Sequence, residues 1–244
     1  MYLDLDFCRF IFLLFSLITH HFLSNLLISD FLPKFLKHFT VFFQFTSVLF
    51  LCLCALRRGY VNYESKENIT LSTRYCKFCK HYKPVRAHHC SRCKKCIKKM
   101  DHHCMWIGVC VNYDNHGDFM RFLFFSVLST SISFSGYIYL IFKKELSNQM
   151  KVLLAYLLLY SFLVSLFCGI MFNIQAGLVS KNITFIEDQH YFYNEERSAY
   201  DKGLVNNWNE VMGSMRLLWM CRPNGNGMNY VRNDGLENDD ISFV

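Results

Sequence analysis

The sequence predicts a mainly α-helical membrane protein with four transmembrane helices and a small cytosolic cysteine-rich domain between helices 2 and 3. Three observations lead to this prediction. Four apolar runs each exceed 20 residues, seven of the 12 cysteines fall within 35 residues, and Lys and Arg concentrate in the same segment as those cysteines. With 52% hydrophobic residues, 25 Phe and only 3 Pro, the chain is too apolar for a disordered protein.

The four apolar runs are long enough to cross a bilayer, because a helix needs about 20 residues to span ~30 Å of hydrocarbon. They lack the 3.6-residue alternation of an amphipathic helix, so lipid suits them better than water or a soluble helical core. They cover Cys8–Ile28, Phe35–Leu56, Phe119–Phe142 and Val152–Ile174. We expect the first run to be a retained anchor, because it lacks the basic start and the small-residue cleavage site of a signal peptide.

The runs divide the chain into five regions. Residues 57–99 hold thirteen Lys and Arg, so the positive-inside rule predicts that this segment, and with it both termini, lies in the cytosol. The predicted regions are transmembrane helices 1 and 2 (1–56), a cytosolic cysteine-rich domain (57–118), transmembrane helices 3 and 4 (119–179), a cytosolic C-terminal region (180–221) and a disordered tail (222–244).

The clustered cysteines form an internal repeat of a metal-ligand pattern. Two interleaved sets have the spacing C-x2-C-x9-H-x6-C, the second shifted by fourteen residues. The sets are Cys76, Cys79, His89 and Cys96, and Cys90, Cys93, His103 and Cys110. Cysteines in the reducing cytosol favour metal binding over disulfides, and three thiolates with one imidazole suit tetrahedral Zn²⁺. We therefore predict two closed, structural zinc ions whose binding supplies most of the folding free energy of this segment.

Cys104 is the one cysteine of the cluster that this pattern leaves without a metal. It begins a third copy of the spacing, but positions 107, 117 and 124 hold none of the required ligands. Asp101 replaces the Ala87 of the previous copy, and His102 is a second imidazole that the zinc ions do not need. Because a carboxylate can orient a histidine that deprotonates a thiol, these residues predict an activated nucleophile. A leftover cysteine in a duplicated zinc module and a redox-sensing thiol remain as alternatives.

The segment Tyr75–Phe119 closely resembles the cysteine-rich domain of the DHHC protein S-acyltransferases, also called palmitoyltransferases. It contains the eight proposed ligands, Lys83-Pro84, Arg86 and the D-H-H-C tetrad at the spacing of that family. It departs from the family pattern at Met105, Val109 and Asn112, where Pro, Asn and Gly are usual. Met105 lies beside the proposed nucleophile and loses the fixed backbone angle of proline, so the departure concerns rate more than mechanism.

Two further segments resemble family motifs. Thr184–Glu187 resembles the TTxE motif, with Phe185 in place of the second threonine. Tyr200–Gly213 resembles the C-terminal element of the family, with Asn207 at its key asparagine and with Trp208 also matching.

The resemblance implies transfer of a long-chain acyl group, typically palmitoyl, from acyl-CoA to cysteine thiols of substrate proteins. Cys104 would form the acyl-enzyme, with His102 as the base and Asp101 orienting it. The implied partners are acyl-CoA as co-substrate, substrate proteins with membrane-proximal cysteines and the lipid bilayer, without nucleic acid; an accessory subunit stays open. The common location of the family is an endomembrane such as the ER or Golgi, or the plasma membrane.

Basic and small residues give weaker predictions. Lys83, Arg86 and His88 could contact the phosphates of CoA. A second basic run, which could lie along anionic lipid headgroups, consists of Lys94, Lys95, Lys98 and Lys99. The small-residue stretch Ser129–Gly136 fits either close helix packing or a roomy floor for an acyl-chain cavity.

Other function classes fit the sequence less well. A nucleic-acid-binding module would need a recognition helix with C₂H₂ spacing, and a RING-type ligase uses other ligand spacings. A channel would need a line of ionisable residues through the spans. A catalytically inactive, membrane-anchored zinc-binding scaffold is the main alternative to the enzyme, and Cys104 is the residue that distinguishes the two.

Overall fold

The computed structural model describes residues 5–29, 32–63, 71–143, 145–194, 198–214, 225–228 and 230. The helices are α1 (Leu5–Ile28), α2 (Lys34–Leu56), α3 (His116–Lys143), α4 (Asn148–Ser180), α5 (Phe185–Asn194) and α6 (Leu204–Met212). The strands are β1 (Leu71–Cys76), β2 (His81–Pro84), β3 (His88–Cys90), β4 (Lys95–Ile97), β5 (His102–Cys104) and β6 (Val109–Val111). The helices α1 to α4 are long and apolar enough to cross a membrane, and the strands lie between α2 and α3, which confirms the predicted fold class.

The four long helices turn apolar side chains outward and polar ones inward. On α1, Phe15 is 69% exposed, whereas His20 and His21 lie in the bundle interior. Nε2 of His20 lies 2.9 Å from Oγ of Ser161, and Nε2 of His21 lies 3.3 Å from Oγ of Ser47. The polar residues that interrupt the first apolar run therefore join helices, while the aromatic residues face the hydrocarbon expected around the bundle.

The small-residue stretch of α3 packs closely against α1. The hydroxyl groups of Ser24 and Ser133 lie 2.7 Å apart. A Cβ atom on Gly136 would lie 2.9 Å from the side chain of Ile28, closer than real carbon contacts allow. The structure thus supports the packing interpretation at Ser133 and Gly136. Ser131, Ser135 and Gly136 also line a separate cavity of about 490 Å³, which Cys104 does not line.

The sequence repeat reappears as two hairpins of identical register. Strands β3 and β4 pair His89 with Cys96, and strands β5 and β6 pair His103 with Cys110. Each C-x2-C pair is closed by a lysine in the left-handed region, Lys80 or Lys94, whose N–H donates to the carbonyl of the first cysteine at 2.7 Å. These turns bring the two sulfurs of each pair to one side of the chain.

A third copy of this turn holds Cys104. Gly108 has a φ of +76° and donates its N–H to the carbonyl of Cys104 at 2.9 Å. Ile107 stands where a second zinc cysteine would be, and it is buried in the apolar core. The backbone of a zinc-binding turn is therefore retained around a cysteine that belongs to neither ligand set.

Asn115 connects the cysteine-rich domain to the membrane bundle. Its side-chain amide donates to the carbonyl oxygens of Cys54, Arg57 and Cys110 at 3.0, 2.9 and 2.9 Å. Cys54 and Arg57 lie at the end of α2, and Cys110 is a proposed zinc ligand. One buried amide therefore fixes the second ligand set relative to α2 and to the start of α3.

Candidate active site and metal centres

The two predicted ligand sets converge in space. In each set one atom from every residue lies within 4.8 Å of the others. Nδ1 of His103 lies 3.5, 3.5 and 3.6 Å from the sulfurs of Cys90, Cys93 and Cys110. Nδ1 of His89 lies 3.6 and 3.4 Å from the sulfurs of Cys76 and Cys79.

These separations fit a tetrahedral zinc ion. With Zn–S near 2.3 Å and Zn–N near 2.0 Å, the edge of the coordination tetrahedron is about 3.6 Å. The four-ligand sets leave no position for a water on the ion. Each cluster could thus hold one metal ion in a structural role, as the donor chemistry predicts.

Cys104 lies beside a carboxylate–histidine pair. Nδ1 of His102 donates to Oδ2 of Asp101 at 2.7 Å. Burial by itself would lower the pKa of His102, but its hydrogen bonds with Asp101 and Cys104 raise that pKa to about 9. Because Nδ1 is occupied by the carboxylate, Nε2 is the atom that can exchange a proton with the Cys104 thiol. Near neutral pH, His102 is therefore mostly an imidazolium beside the Cys104 side chain.

Asp101 is buried and fully engaged. Its Oδ2 also accepts from Nε2 of Gln175 at 2.9 Å, and its Oδ1 accepts from the backbone N–H of Phe185 at 2.8 Å. Burial raises the pKa of Asp101, but the hydrogen bond from His102, the nearby His116 and the Phe185 N–H outweigh it and lower the pKa to about 2. The carboxylate is therefore ionised and held from α4 and α5 as well as by His102 on the adjacent strand β5.

Gln175 connects the Asp101 carboxylate to His116 at the start of α3. Its Oε1 lies 2.7 Å from Nε2 of His116, and since its amide nitrogen donates to Asp101, the His116 nitrogen must be the donor. Sequence reasoning missed both residues. Gln175 is a polar residue just beyond the fourth apolar run, which is the only signal that could have pointed to it.

The TTxE-like segment begins α5 with a capping box. The N–H of Glu187 donates to Oγ1 of Thr184 at 3.2 Å, and Oε2 of Glu187 accepts from the N–H of Thr184 at 2.8 Å. Phe185 contacts Asp101 through its backbone. The replacement of the usual second threonine by Phe185 therefore leaves this contact intact.

The predicted contact of Arg86 with CoA phosphates conflicts with the structure. Arg86 is 2% exposed, and it donates to both carboxylate oxygens of Glu187 at 2.7 and 2.6 Å. It also donates to the side-chain and backbone oxygens of Asn182 at 3.0 and 2.9 Å. The guanidinium carbon lies 4.3 Å and 5.0 Å from the ring centres of Tyr200 and Tyr230. Arg86 is thus a buried connector between the cysteine-rich domain and the C-terminal region.

Other basic residues also differ from expectation. Lys99 is buried and donates to Glu210 at 2.7 Å, so it does not face lipid headgroups. Lys98 pairs with Asp114 at 2.7 Å. Burial lowers the pKa of His88 to about 4, so His88 is neutral near pH 7 and lacks the charge expected of a phosphate ligand.

The C-terminal element packs on the end of α4. The amide of Asn207 donates to the carbonyl of Ser180 at 2.8 Å and to Asp201 at 2.7 Å. Nε1 of Trp208 donates to the hydroxyl of Ser180 at 3.1 Å. Of the predicted disordered tail, the structure describes residues 225–228 and 230, and Tyr230 is buried against Arg86; the rest lies outside the described residues.

An apolar cavity of about 520 Å³ opens beside Cys104. It is enclosed by the D-H-H-C loop and by α1, α3 and α4, and its lining includes Leu13, Leu17, Cys104, Met105, Trp106, Phe119, Phe122, Tyr160, Leu163 and Phe167. On α4, the cavity lining extends from Tyr160 to Met171. At a helical rise of 1.5 Å per residue, this part of the cavity is roughly 16 Å long. Ser129 is not among the lining residues. The cavity has the polarity and length to hold an alkyl chain with its head at Cys104.

The chain is similar in sequence to one family of known proteins. A family profile described as DHHC palmitoyltransferase matches residues 69–191, half of the chain. Probable protein S-acyltransferase 12 of Arabidopsis thaliana is 36% identical over 158 residues, covering 61% of this chain and 53% of the relative. Palmitoyltransferase ZDHHC15 of Homo sapiens is 33% identical over 156 residues, covering 61% and 46%. The chain therefore spans about half the length of these curated relatives.

Proposed function

Since the chain belongs to the DHHC palmitoyltransferase family, we propose that it transfers a long-chain acyl group from acyl-CoA to cysteine thiols of substrate proteins. The observation that carries this proposal is the position of Cys104. This thiol is bound by neither metal cluster, contacts the His102–Asp101 pair and lines the apolar cavity. A zinc scaffold would need none of these three features.

The proposed reaction has two balanced steps. The Cys104 thiolate attacks the thioester carbonyl of acyl-CoA, the bond from that carbonyl to the CoA sulfur breaks, and His102 passes the thiol proton to the leaving sulfur. A substrate cysteine then gives its proton to His102 and attacks the acyl-enzyme, which releases Cys104. Both thioesters have similar energy, so the transfer needs no other energy source.

The cavity and the metal clusters support this chemistry in different ways. Placing the alkyl chain in the cavity removes apolar surface from water, which is worth about 0.8 kcal/mol for each CH₂ group. Zinc, held by the two Cys₃His sets, would supply rigidity, because the hairpin that carries His102 and Cys104 also carries the zinc ligands His103 and Cys110. We propose Lys83 as the remaining basic contact for the CoA phosphates.

We also propose the topology that the charges favour. The cysteine-rich domain and both termini lie in the cytosol, where acyl-CoA and reduced substrate thiols are present. The bilayer is that of the ER, the Golgi or the plasma membrane. Substrate proteins would present cysteines close to the membrane surface, at the height of Cys104.

The direct test is labelling with an alkyne-tagged palmitoyl-CoA. The detergent-purified protein should carry about two zinc ions and acquire a label that hydroxylamine removes, because the acyl-enzyme is a thioester. A wild-type protein that retains its zinc and acquires no label would instead support the inactive scaffold, and would direct attention to Met105.

Replacing Gln175 by Leu is expected to slow labelling about tenfold while zinc content stays the same. The substitution removes one of three hydrogen bonds that hold the Asp101 carboxylate, so His102 loses part of its orientation. The matched control is Asn173→Leu on the same helix, since Asn173 is exposed and its hydrogen bond within the described residues goes to the backbone of Gly169. Equal rates for the two variants would argue against the orienting network.

Leu163→Trp is expected to shift the acyl-chain preference several-fold toward shorter donors, because a larger side chain fills the part of the cavity far from Cys104. The control is Leu166→Trp, whose native leucine has similar exposure (48% against 52%) but does not line the cavity. Competition between 12-carbon and 16-carbon acyl-CoA measures the preference. The same preference in both variants would place the alkyl chain elsewhere.

A further inference from the structure

Asp6, near the start of the first membrane helix, contacts a proposed zinc ligand. Its Oδ2 lies 3.1 Å from Nε2 of His103, and the carboxylate is 4% exposed. Since a carboxylate without a proton can only accept, Nε2 of His103 carries the hydrogen. That leaves the lone pair on Nδ1, the atom that faces the three sulfurs of the second cluster.

Two arginines hold Asp6 in this position. Arg92 donates from Nε and Nη2 to both carboxylate oxygens at 2.9–3.2 Å, and Arg9 donates to Oδ1 at 3.2 Å. Three thiolates around one Zn²⁺ carry a net charge of −1, so a further carboxylate nearby would be repelled. The two guanidinium groups offset that repulsion.

The backbone of the turn that holds Cys104 also lies against the backbone of Asp6. A Cβ atom on Gly108 would lie 3.1 Å from the carbonyl oxygen of Asp6. The start of α1 therefore contacts the second cluster through the Asp6 carboxylate and the D-H-H-C loop through its backbone.

The first cluster has a different environment. Among the described residues, the histidine ion pairs are His103 with Asp6 and His102 with Asp101, and none involves His89. The ring of His89 instead stacks on Phe78, with ring centres 4.8 Å apart. The two ligand sets have identical spacing, so this outer contact is a chemical difference between them.

We infer that Asp6 is a positioning residue for the second zinc ion, fixing the tautomer and orientation of His103, and that it makes the two zinc sites inequivalent. A carboxylate on the free nitrogen of a metal-bound histidine makes that ligand more basic and orients its ring. The second site should therefore retain its zinc longer than the first. This inference rests on the proposed zinc ions and is independent of acyl transfer.

The test is the rate of zinc release from the full-length, detergent-purified protein to a chromogenic chelator. The wild type should release its two ions in two phases, because one site has the Asp6 contact and the other does not. Asp6→Asn keeps the size of the side chain but removes its charge, and it should speed the slow phase about tenfold or more while leaving the fast phase unchanged. Asp114→Asn is the matched control and should resemble the wild type, because Asp114 pairs with Lys98 and with neither ligand histidine among the described residues.

Arg92→Gln separates the zinc effect from simple detachment of the helix. It removes the bidentate anchor of Asp6 but keeps the carboxylate that His103 needs, so it should speed release less than Asp6→Asn does. Equal acceleration by the two variants would overturn the inference, as would a single release phase in the wild type. A protein that acylates itself but releases both ions at one rate would overturn only this inference and leave the proposed function intact.

Discussion

Replacing Cys104 by Ser is expected to abolish acyl-enzyme formation, by at least about 1,000-fold, while the protein keeps about two zinc ions. A serine hydroxyl is a much weaker nucleophile than a thiolate at neutral pH. Cys104 belongs to neither ligand set, so its loss should leave both metal clusters complete. The measurements are hydroxylamine-sensitive labelling from palmitoyl-CoA and zinc content on the same sample.

The control for this substitution is Cys52→Ser on α2. Cys52 is a partly buried cysteine that lies outside the cavity lining and both clusters, so its replacement should leave labelling unchanged. Label that persists on Cys104→Ser would mean that another cysteine is acylated, and the proposed mechanism would be wrong. Loss of zinc together with label would mean that Cys104 has a structural role.

Replacing Arg86 by Met is expected to lower the free energy of unfolding by about 3–5 kcal/mol, because it leaves the buried Glu187 carboxylate without its partner. It also removes the donors to Asn182 and the stacking partner of Tyr200 and Tyr230. Since these residues join the cysteine-rich domain to the C-terminal region, the loss should affect both. Denaturant unfolding in detergent measures it.

Two further variants test whether the unpaired Glu187 charge causes the stability loss of Arg86→Met. Lys202→Met breaks the exposed ion pair with Glu210 and should cost less than about 1 kcal/mol. Arg86→Met combined with Glu187→Leu removes both buried charges, so it should recover part of the stability lost in the single variant. If the double variant lost more free energy of unfolding than the two single variants together, the charge of Glu187 would not be the source of the loss.

The fold class and the ligand sets could be predicted from local patterns. The thickness of a bilayer sets the length of an apolar run, and a C-x2-C turn brings two sulfurs together without help from the rest of the chain. The same reasoning identified Cys104, because the missing ligand at Ile107 is visible in the spacing. Periodic, short-range constraints of this kind can be read directly in the order of residues.

The surroundings of these groups depended on tertiary structure. A basic cluster in the sequence predicts a phosphate contact for Arg86, yet its partner Glu187 lies 101 residues away. Lys99 was expected at the lipid surface and instead bonds to Glu210, 111 residues away. The residue type does not show whether a basic side chain is solvated or lies in a buried ion pair, because that depends on how distant segments pack.

The sequence by itself therefore determined four membrane helices, two Cys₃His sets and, within the cysteine cluster, one cysteine that belongs to neither set. Only the tertiary structure decided which residues hold Asp101, which groups bury Arg86, and that Asp6 lies 3.1 Å from His103 across 97 residues of chain. The physical reason is the range of the interactions. Backbone turns and hydrophobic length act over a few residues, whereas a buried hydrogen bond is set by how distant elements pack, and no local pattern encodes that packing.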